Sequence, residues 1–311
     1  NGTDALILSL MALGIRHGDE VITTPYTFFS TASSIALVGA KPVFVDIEQE
    51  FMNINPHLIE AAITPRTKAI IVVHLFGKTC EIEEICDIGQ RYGIPIVEDM
   101  AQSLGAQKTG GMCGSFGDIA ALSFYPTKNL GGIGDGGMVL TRRNDLGEKV
   151  RKLRVHGMGA KQYHHDMIGI NSRLDEINAC VLTVKFKHLE SWNVKRKENA
   201  QYYNERLERL PINLPKIVDN NSHIFHQYVI RVQERDKLQS FLKGKGIGTG
   251  IYYPVPLHLQ ECFAHLGYKQ GDFPESESAA LTSLALPVFP ELKKKEKDYI
   301  ILSIREFFGA P

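Results

Sequence analysis

The sequence predicts an α/β protein with a mostly parallel central sheet sandwiched by helices and a smaller α+β domain at its C-terminal end. Three observations predict it. Short apolar runs alternate with amphipathic helical stretches over the first 140 or so residues, the pattern of a parallel sheet covered on both faces. Several runs end on a polar residue, as at His74, Asp99 and Ser123, and such sheets bind ligands at the carboxyl ends of their strands. Beyond residue 171 a long helical stretch leads into a second, mixed set of elements.

In order, residues 3–13 read as a helix capped by Asn1-Gly2-Thr3 and stopped at Gly14. Strand 20–23 follows, then a helix from Pro25 to about Val38, a buried strand 41–46 and a helix 56–63. Strand 69–74, helix 81–92 and strand 94–99 continue the alternation. Strand 119–124 runs into a turn and a glycine-rich loop, and strand 138–141 and helix 144–154 come next. The polar stretch 154–166 reads as an active-site loop. A long helix opens at 171–176, extends to about Leu210 and bridges two domains, 1–190 and 191–311. The second domain takes strand 224–232, helix 234–244, a strand from Gly246 into a proline-rich loop, and helices 275–284 and 294–308.

The chain has 311 residues, with 35 Lys+Arg against 35 Asp+Glu. This balance gives no reason to expect nucleic acid or an anionic membrane as partner, and no apolar run is long enough to span a bilayer. Five cysteines (80, 86, 113, 180 and 262) fit neither a zinc nor a disulfide framework and read as reduced thiols of a cytoplasmic protein. The sequons Asn1-Gly2-Thr3 and Asn220-Asn221-Ser222 then read as chance matches. A helix cap at residue 1 leads to the expectation that an N-terminal segment is missing.

Chemistry concentrates at Ser123-Phe-Tyr-Pro-Thr-Lys128 and the glycine-rich loop to Gly137. A lysine at a strand end, hemmed in by small residues, suits covalent chemistry, because a desolvated amine has a lowered pKa and condenses with carbonyls. A surface lysine in a turn is the plain alternative. Gly132-Ile-Gly-Asp-Gly-Gly137 matches G-x-G-x-x-G, but a strand follows it rather than a helix, which rejects a dinucleotide site. Asp99 is a carboxylate at the end of an apolar strand, costly unless paired. It is either a helix cap or the partner of a cationic ring nitrogen, with Gln102 beside it as a donor. Asn1-Gly2-Thr3 at a helix N-terminus is a phosphate site or plain capping. His164-His165 lacks the further ligands a metal needs, so a loop contact is the better reading.

These pieces together resemble the DegT–DnrJ–StrS family of nucleotide-sugar aminotransferases, which depend on pyridoxal 5'-phosphate. The resemblance rests on Asn1-Gly-Thr-Asp-Ala-Leu, Gly18-Asp-Glu-Val-Ile, Pro25-Tyr-Thr-Phe-Phe-Ser-Thr-Ala and Gly39-Ala-Lys-Pro-Val-Phe-Val-Asp46. It continues through Glu98-Asp-Met-Ala-Gln-Ser-Leu-Gly-Ala, Ser123 to Lys128, Gly134-Asp-Gly-Gly137 and Asn171-Ser-Arg-Leu-Asp-Glu. It implies fold type I, with Lys128 as the catalytic amine and Asp99 on the pyridine nitrogen. Gln102 would contact the ring hydroxyl and Phe28 would stack on the ring. Gly2, Thr3 and Ser123 would bind the phosphate, with Asn171 reaching it from the second subunit of a homodimer. Glutamate would supply nitrogen to a keto group of a nucleotide-linked hexose. Arg154-Val-His-Gly and Tyr253-Pro-Val-Pro-Leu-His258 look most like the branch that aminates C3. A UDP-linked 2-acetamido-3-keto glucuronate is the leading substrate, with Tyr253, His258 and Arg173 about the sugar. The alternatives are a dTDP-linked 3-keto-6-deoxyhexose, a 4-keto sugar, and a non-enzymatic regulator. The dehydratase branch has histidine in place of the lysine, and Lys128 argues against it. Relatives carry a further segment before Asn-Gly-Thr, and usually alanine where Met100 and Cys180 stand.

Overall fold

The computed structural model describes residues 1–108, 110–216 and 222–310. Asn220 and Asn221 of the second sequon lie outside the described residues. Six strands form the main sheet: β1 (Glu20–Thr23), β2 (Lys41–Phe44), β3 (Thr67–Val73), β4 (Ile96–Asp99), β7 (Ile119–Ser123) and β8 (Gly137–Leu140). Their spatial order is β2-β1-β3-β4-β7-β8. All neighbours are parallel except β7 and β8. The parallel strands are joined by crossovers, whereas β7 and β8 are joined by the loop that carries Lys128, with no helix to carry the chain back. β5 (Gln107–Lys108) and β6 (Gly111–Met112) make a separate two-residue hairpin.

Helix α1 (Gly2–Leu13) packs one face of this sheet together with α2 (Ser30–Leu37) and α4 (Asn144–Leu153), and α3 (Ile82–Tyr92) packs the other. Covered on both faces, β3 and β4 are almost wholly buried, which is why they read as unbroken apolar runs. Register sets Val73 beside Asp99, Asp99 beside Ala121 and Ser123 beside Gly137. The chemically marked residues therefore meet along one edge.

A second core is built only from residues between 200 and 304. It gathers α6 (Leu189–Leu207), α7 (Arg235–Gly244), α9 (Lys294–Phe307) and the antiparallel pair β9 (Tyr228–Arg231) and β10 (Ser283–Leu286). Leu189, at the start of α6, packs instead with Phe124, Leu130 and Leu182 under the Lys128 loop. One helix thus ties the loop to the second core.

Several expectations are corrected. The helix expected from Pro25 begins at Ser30, because the preceding loop buries Tyr26, whose hydroxyl donates to the Tyr252 carbonyl at 2.6 Å. Residues 56–63 form two 3₁₀ turns, with Pro56 opening the first. The long helix is two helices, α5 (Glu176–Phe186) and α6. At their junction the His188 N–H closes on the Lys185 carbonyl, three residues back, at 2.9 Å. The strand expected from Gly246 is a single bridge between Gly250 and Ala285. The helix expected over 275–284 is α8 (Pro274–Thr282), and its last residues pass directly into β10, which was not foreseen.

The five cysteines are free thiols. No helix among the described residues is long and apolar enough to cross a membrane.

Candidate active site

A cavity of about 620 Å³ opens at the carboxyl ends of β3, β4 and β7. Gly2, Thr3, Phe28, Asp99, Gln102, Ser123, Lys128 and Tyr253 all line it. One end is the N-terminus of α1. The Asn1 side chain caps the helix by accepting from the Asp4 N–H at 2.9 Å, so capping is real. It leaves the Gly2 and Thr3 N–H groups, which have no intrahelical acceptor, facing the cavity. Close packing shapes this end. A Cβ at Gly2 would lie 2.8 Å from Ser123 Cβ, and one at Gly137 would lie 2.2 Å from the Asn1 carbonyl oxygen. Thr3 Oγ1 and Ser30 Oγ meet at 2.5 Å beside it. The result is a small cradle of N–H groups and hydroxyls at the positive end of a helix dipole, suited to a phosphate.

Gly137→Ala tests the cradle. The new methyl pushes the start of α1 off the strand, a clash of the kind that costs about 1–3 kcal/mol. The expected result is roughly tenfold or greater loss of affinity for pyridoxal phosphate, read by equilibrium dialysis, with a smaller change in melting temperature.

At the other end Asp99 is buried. Its carboxylate accepts from Thr31 Oγ1 at 2.9 Å and from the Ala101 N–H at 3.2 Å. Burial pushes its pKa up, against the pull of Thr31, Ala101 and the Lys128 charge. Burial likewise pushes the Lys128 amine below its ordinary value, with Asp99 opposing. A buried carboxylate with two neutral donors still favours a cationic partner. Gln102 is oriented by its neighbours: Oε1 accepts from the Phe76 N–H at 2.6 Å and Nε2 donates to the Tyr253 hydroxyl at 3.1 Å. Burial raises the Tyr253 phenol, which stays protonated. The Phe28 ring is 54% exposed and lies 6.0 Å from Tyr253. An anion cradle, an exposed aromatic ring, a buried carboxylate and a desolvated amine around one cavity fit a flat, phosphorylated pyridine aldehyde.

Three expected site residues lie elsewhere in the chain. Asn171 is exposed and pairs with Val155. Arg173 is exposed and lines a separate cavity with Gly137 and Arg154. His258 is buried, its Nε2 3.1 Å from Glu277 Oε1 and its ring against Phe273. Sequence reasoning missed Thr31, Ser30 and His226. Thr31 and Ser30 stand inside the quoted Pro25–Ala32 motif, but their partners are far away in sequence. His226 reads as a core position of a strand.

The family model "DegT/DnrJ/EryC1/StrS aminotransferase family" matches residues 1–305. The chain is 52% identical over 311 residues to the "Pleiotropic regulatory protein" of Geobacillus stearothermophilus, covering 99% of this chain and 83% of that one. It is 47% identical over 305 residues to the UDP-N-acetyl-3-dehydro-alpha-D-glucosamine 3-aminotransferase of Acidithiobacillus ferrooxidans, covering 98% and 83%. Among solved structures, Streptomyces venezuelae DesV in complex with a ketimine intermediate superposes with a TM-score of 0.96 at 40% identity, covering 100% of this chain and 84% of that one. The chain therefore belongs to the DegT/DnrJ/EryC1/StrS aminotransferase family, with that family's fold type I architecture and its dependence on pyridoxal 5'-phosphate.

Proposed function

We propose that this chain moves an amino group from glutamate to C3 of a UDP-linked 2-acetamido-3-keto hexose, for surface polysaccharide or glycan synthesis in the cytoplasm. The observation that carries the reading is the meeting of Lys128 and Asp99 in one cavity with the α1 cradle. The 47% identity to a 3-aminotransferase of that substrate class supports the choice of sugar. A regulator has no need of a desolvated lysine facing a buried carboxylate, although a relative bears a regulatory name.

The cofactor, when bound, supplies a carbonyl that exchanges with amines and a protonated ring that takes up electrons. Gly2, Thr3 and Ser123 hold its phosphate and Phe28 covers its ring. Asp99 keeps the ring nitrogen protonated by placing a carboxylate beside it. Gln102, fixed by Phe76 and Tyr253, keeps its remaining Nε2 hydrogen for the ring hydroxyl. Lys128, whose amine burial pushes below its ordinary pKa against the pull of Asp99, moves the proton at the substrate carbon. Residues 1–190 serve as the cofactor domain and 191–311 as the small domain.

A homodimer completes the site. Ile177, Val184 and Phe186 of α5 are 69%, 60% and 59% exposed, an apolar surface suited to a second copy. Asn171 and Arg173 of that copy reach the cofactor phosphate and the sugar. An arginine clamps a carboxylate, which favours the glucuronate form of the substrate. Tyr253 lines the sugar side, and His258, five residues on in the same proline-rich loop, is held by Glu277. Two tests apply. Nitrogen-15 from labelled glutamate is expected to appear in the sugar of a UDP-2-acetamido-3-keto substrate, and its absence with every keto sugar tried contradicts the reading. Lys128→Ala and Arg173→Ala chains, each inactive alone, are expected to regain activity when mixed and refolded. No recovery contradicts a shared site.

A further inference from the structure

A buried chain of hydrogen bonds next to Lys128 fixes the state of a histidine that no role above uses. The Leu104 carbonyl can only accept, so Asn193 Nδ2 is the donor in their 3.1 Å contact. Asn193 Oδ1 then accepts from Asn129 Nδ2 at 2.7 Å. Asn129 Oδ1 is left to accept, and its partner at 3.1 Å is His226 Nδ1. His226 is therefore protonated on Nδ1 and bare on Nε2. Asn129, Asn193 and His226 are all buried, so each misplaced proton in this chain carries a desolvation penalty. Gly105 makes room for the chain: a Cβ there would lie 2.6 Å from Asn193 Nδ2.

His226 lines the same cavity as Lys128. Burial, with the Lys128 and Arg196 charges beside it, holds the imidazole well below its ordinary pKa, so it stays neutral. Arg196 Nη1 also donates to the Phe225 carbonyl at 3.2 Å, fixing the backbone there. Asn129 follows Lys128 in sequence, so the same chain sets the spacing of the two side chains. Neither Lys128 Nζ nor His226 Nε2 has a hydrogen-bond partner among the described residues. A donor without an acceptor and an acceptor without a donor face one cavity.

We propose that His226 is a positioning residue whose bare Nε2 receives the Lys128 amine when the lysine side chain swings across the cavity towards it, holding it between the steps of the reaction. The lysine side chain is long enough to swing, and the histidine is held at Nδ1 by Asn129 and at its backbone carbonyl by Arg196. The sign of the effect follows. An acceptor favours the ammonium form, so Nε2 offsets part of the downward push of burial on Lys128. The other titratable groups facing these two are Asp99, Asp135, Tyr125, Tyr252, Tyr253 and Arg196, and none is altered in the test. The inference rests on Lys128 being the reacting amine, but it needs no sugar substrate.

The experiment is the titration of Lys128 in the cofactor-free chain, by competitive acetylation with limiting acetic anhydride and peptide mass spectrometry. His226→Phe keeps the ring volume and removes the acceptor. The Lys128 midpoint is expected to fall by about one pH unit, while His226→Gln, whose amide oxygen reaches the Nε2 position, restores it. A folded His226→Phe chain with an unshifted midpoint overturns the proposal. A purely structural role would lower the melting temperature and leave the midpoint in place. Nitrogen-15 NMR of the wild-type histidines gives a second readout that needs no variant: Nδ1 protonated and Nε2 bare is expected, and the reverse tautomer overturns the proposal. A chain that fails to aminate any sugar yet shows the shift would remove the functional reading alone.

Discussion

Replacing Lys128 by alanine abolishes amino transfer, by at least about 10⁴-fold, the upper range for loss of a positioned acid–base group. The loss is larger than a proton-transfer step alone suggests, since in the proposed function the same nitrogen also anchors the cofactor. Lys128→Arg gives no rescue, because a guanidinium keeps its proton and does not condense with a carbonyl. Fold and stability should change little. The side chain makes no hydrogen bond to a described residue, and removing a desolvated amine relieves a burial penalty. Steady-state assay with glutamate and a keto sugar, alongside thermal melting, separates the two effects. A Lys128→Ala chain that transfers amino groups at the wild-type rate contradicts the assignment.

Replacing Glu98 by glutamine destabilises the chain by about 3–5 kcal/mol, the range for breaking a buried charge cluster. Glu98 is fully buried and neighbours Asp99, yet its carboxylate turns away from the cavity. Oε1 accepts from the Phe116 and Gly117 N–H groups at 2.8 and 2.6 Å. Oε2 accepts from the Gly114 N–H at 2.6 Å and meets His74 Nε2 at 2.9 Å. His74 Nδ1 accepts from the Cys80 N–H at 3.2 Å, so its Nε2 carries the proton and donates. Both oxygens thus face donors only. A glutamine must turn its NH₂ towards two of them, whichever way the amide lies. The pH dependence has a definite sign. Burial pushes the Glu98 pKa up, but the hydrogen bonds from His74, Gly117 and Gly114 outweigh it, and the folded value lies below the ordinary one. Its contribution is therefore complete above about pH 4.3, the unfolded value, and is lost as pH falls through the folded one. Urea melts of wild type and Glu98→Gln should converge towards acid pH. Equal stability of the two at neutral pH contradicts this account. The strand that carries Asp99 to the cavity is thus held by the residue before it.

The inner strands of the main sheet are legible because strands buried on both faces show up as apolar runs between turn residues, as in Ala69–Val73 and Ile119–Leu122. β10 is not legible, since Ser283–Leu286 follows α8 with no turn between them and continues its apolar pattern. The break between α5 and α6 is hidden for a similar reason: Lys187 and His188 are ordinary helix residues, and the change of direction answers to two different cores. At the site, Lys128, Asp99, Ser123 and the Asn1-Gly2-Thr3 turn stand out because charge and glycine at strand and helix ends are locally costly. Thr31 and His226 do not stand out. Their partners, Asp99 and Asn129, lie 68 and 97 residues away, and no local pattern records such a meeting. Asn171 and Arg173 do not line the Lys128 cavity within the single chain, and the shared site proposed above is what would bring them to it.

The most direct test of the central claim is the absorbance spectrum of the purified chain with pyridoxal 5'-phosphate, taken before and after addition of glutamate. The account predicts a visible band that forms with wild type, is absent with Lys128→Ala, and is lost when glutamate converts the cofactor to its amine form. A folded wild-type chain that binds the cofactor without the band, or whose band ignores glutamate, would contradict it.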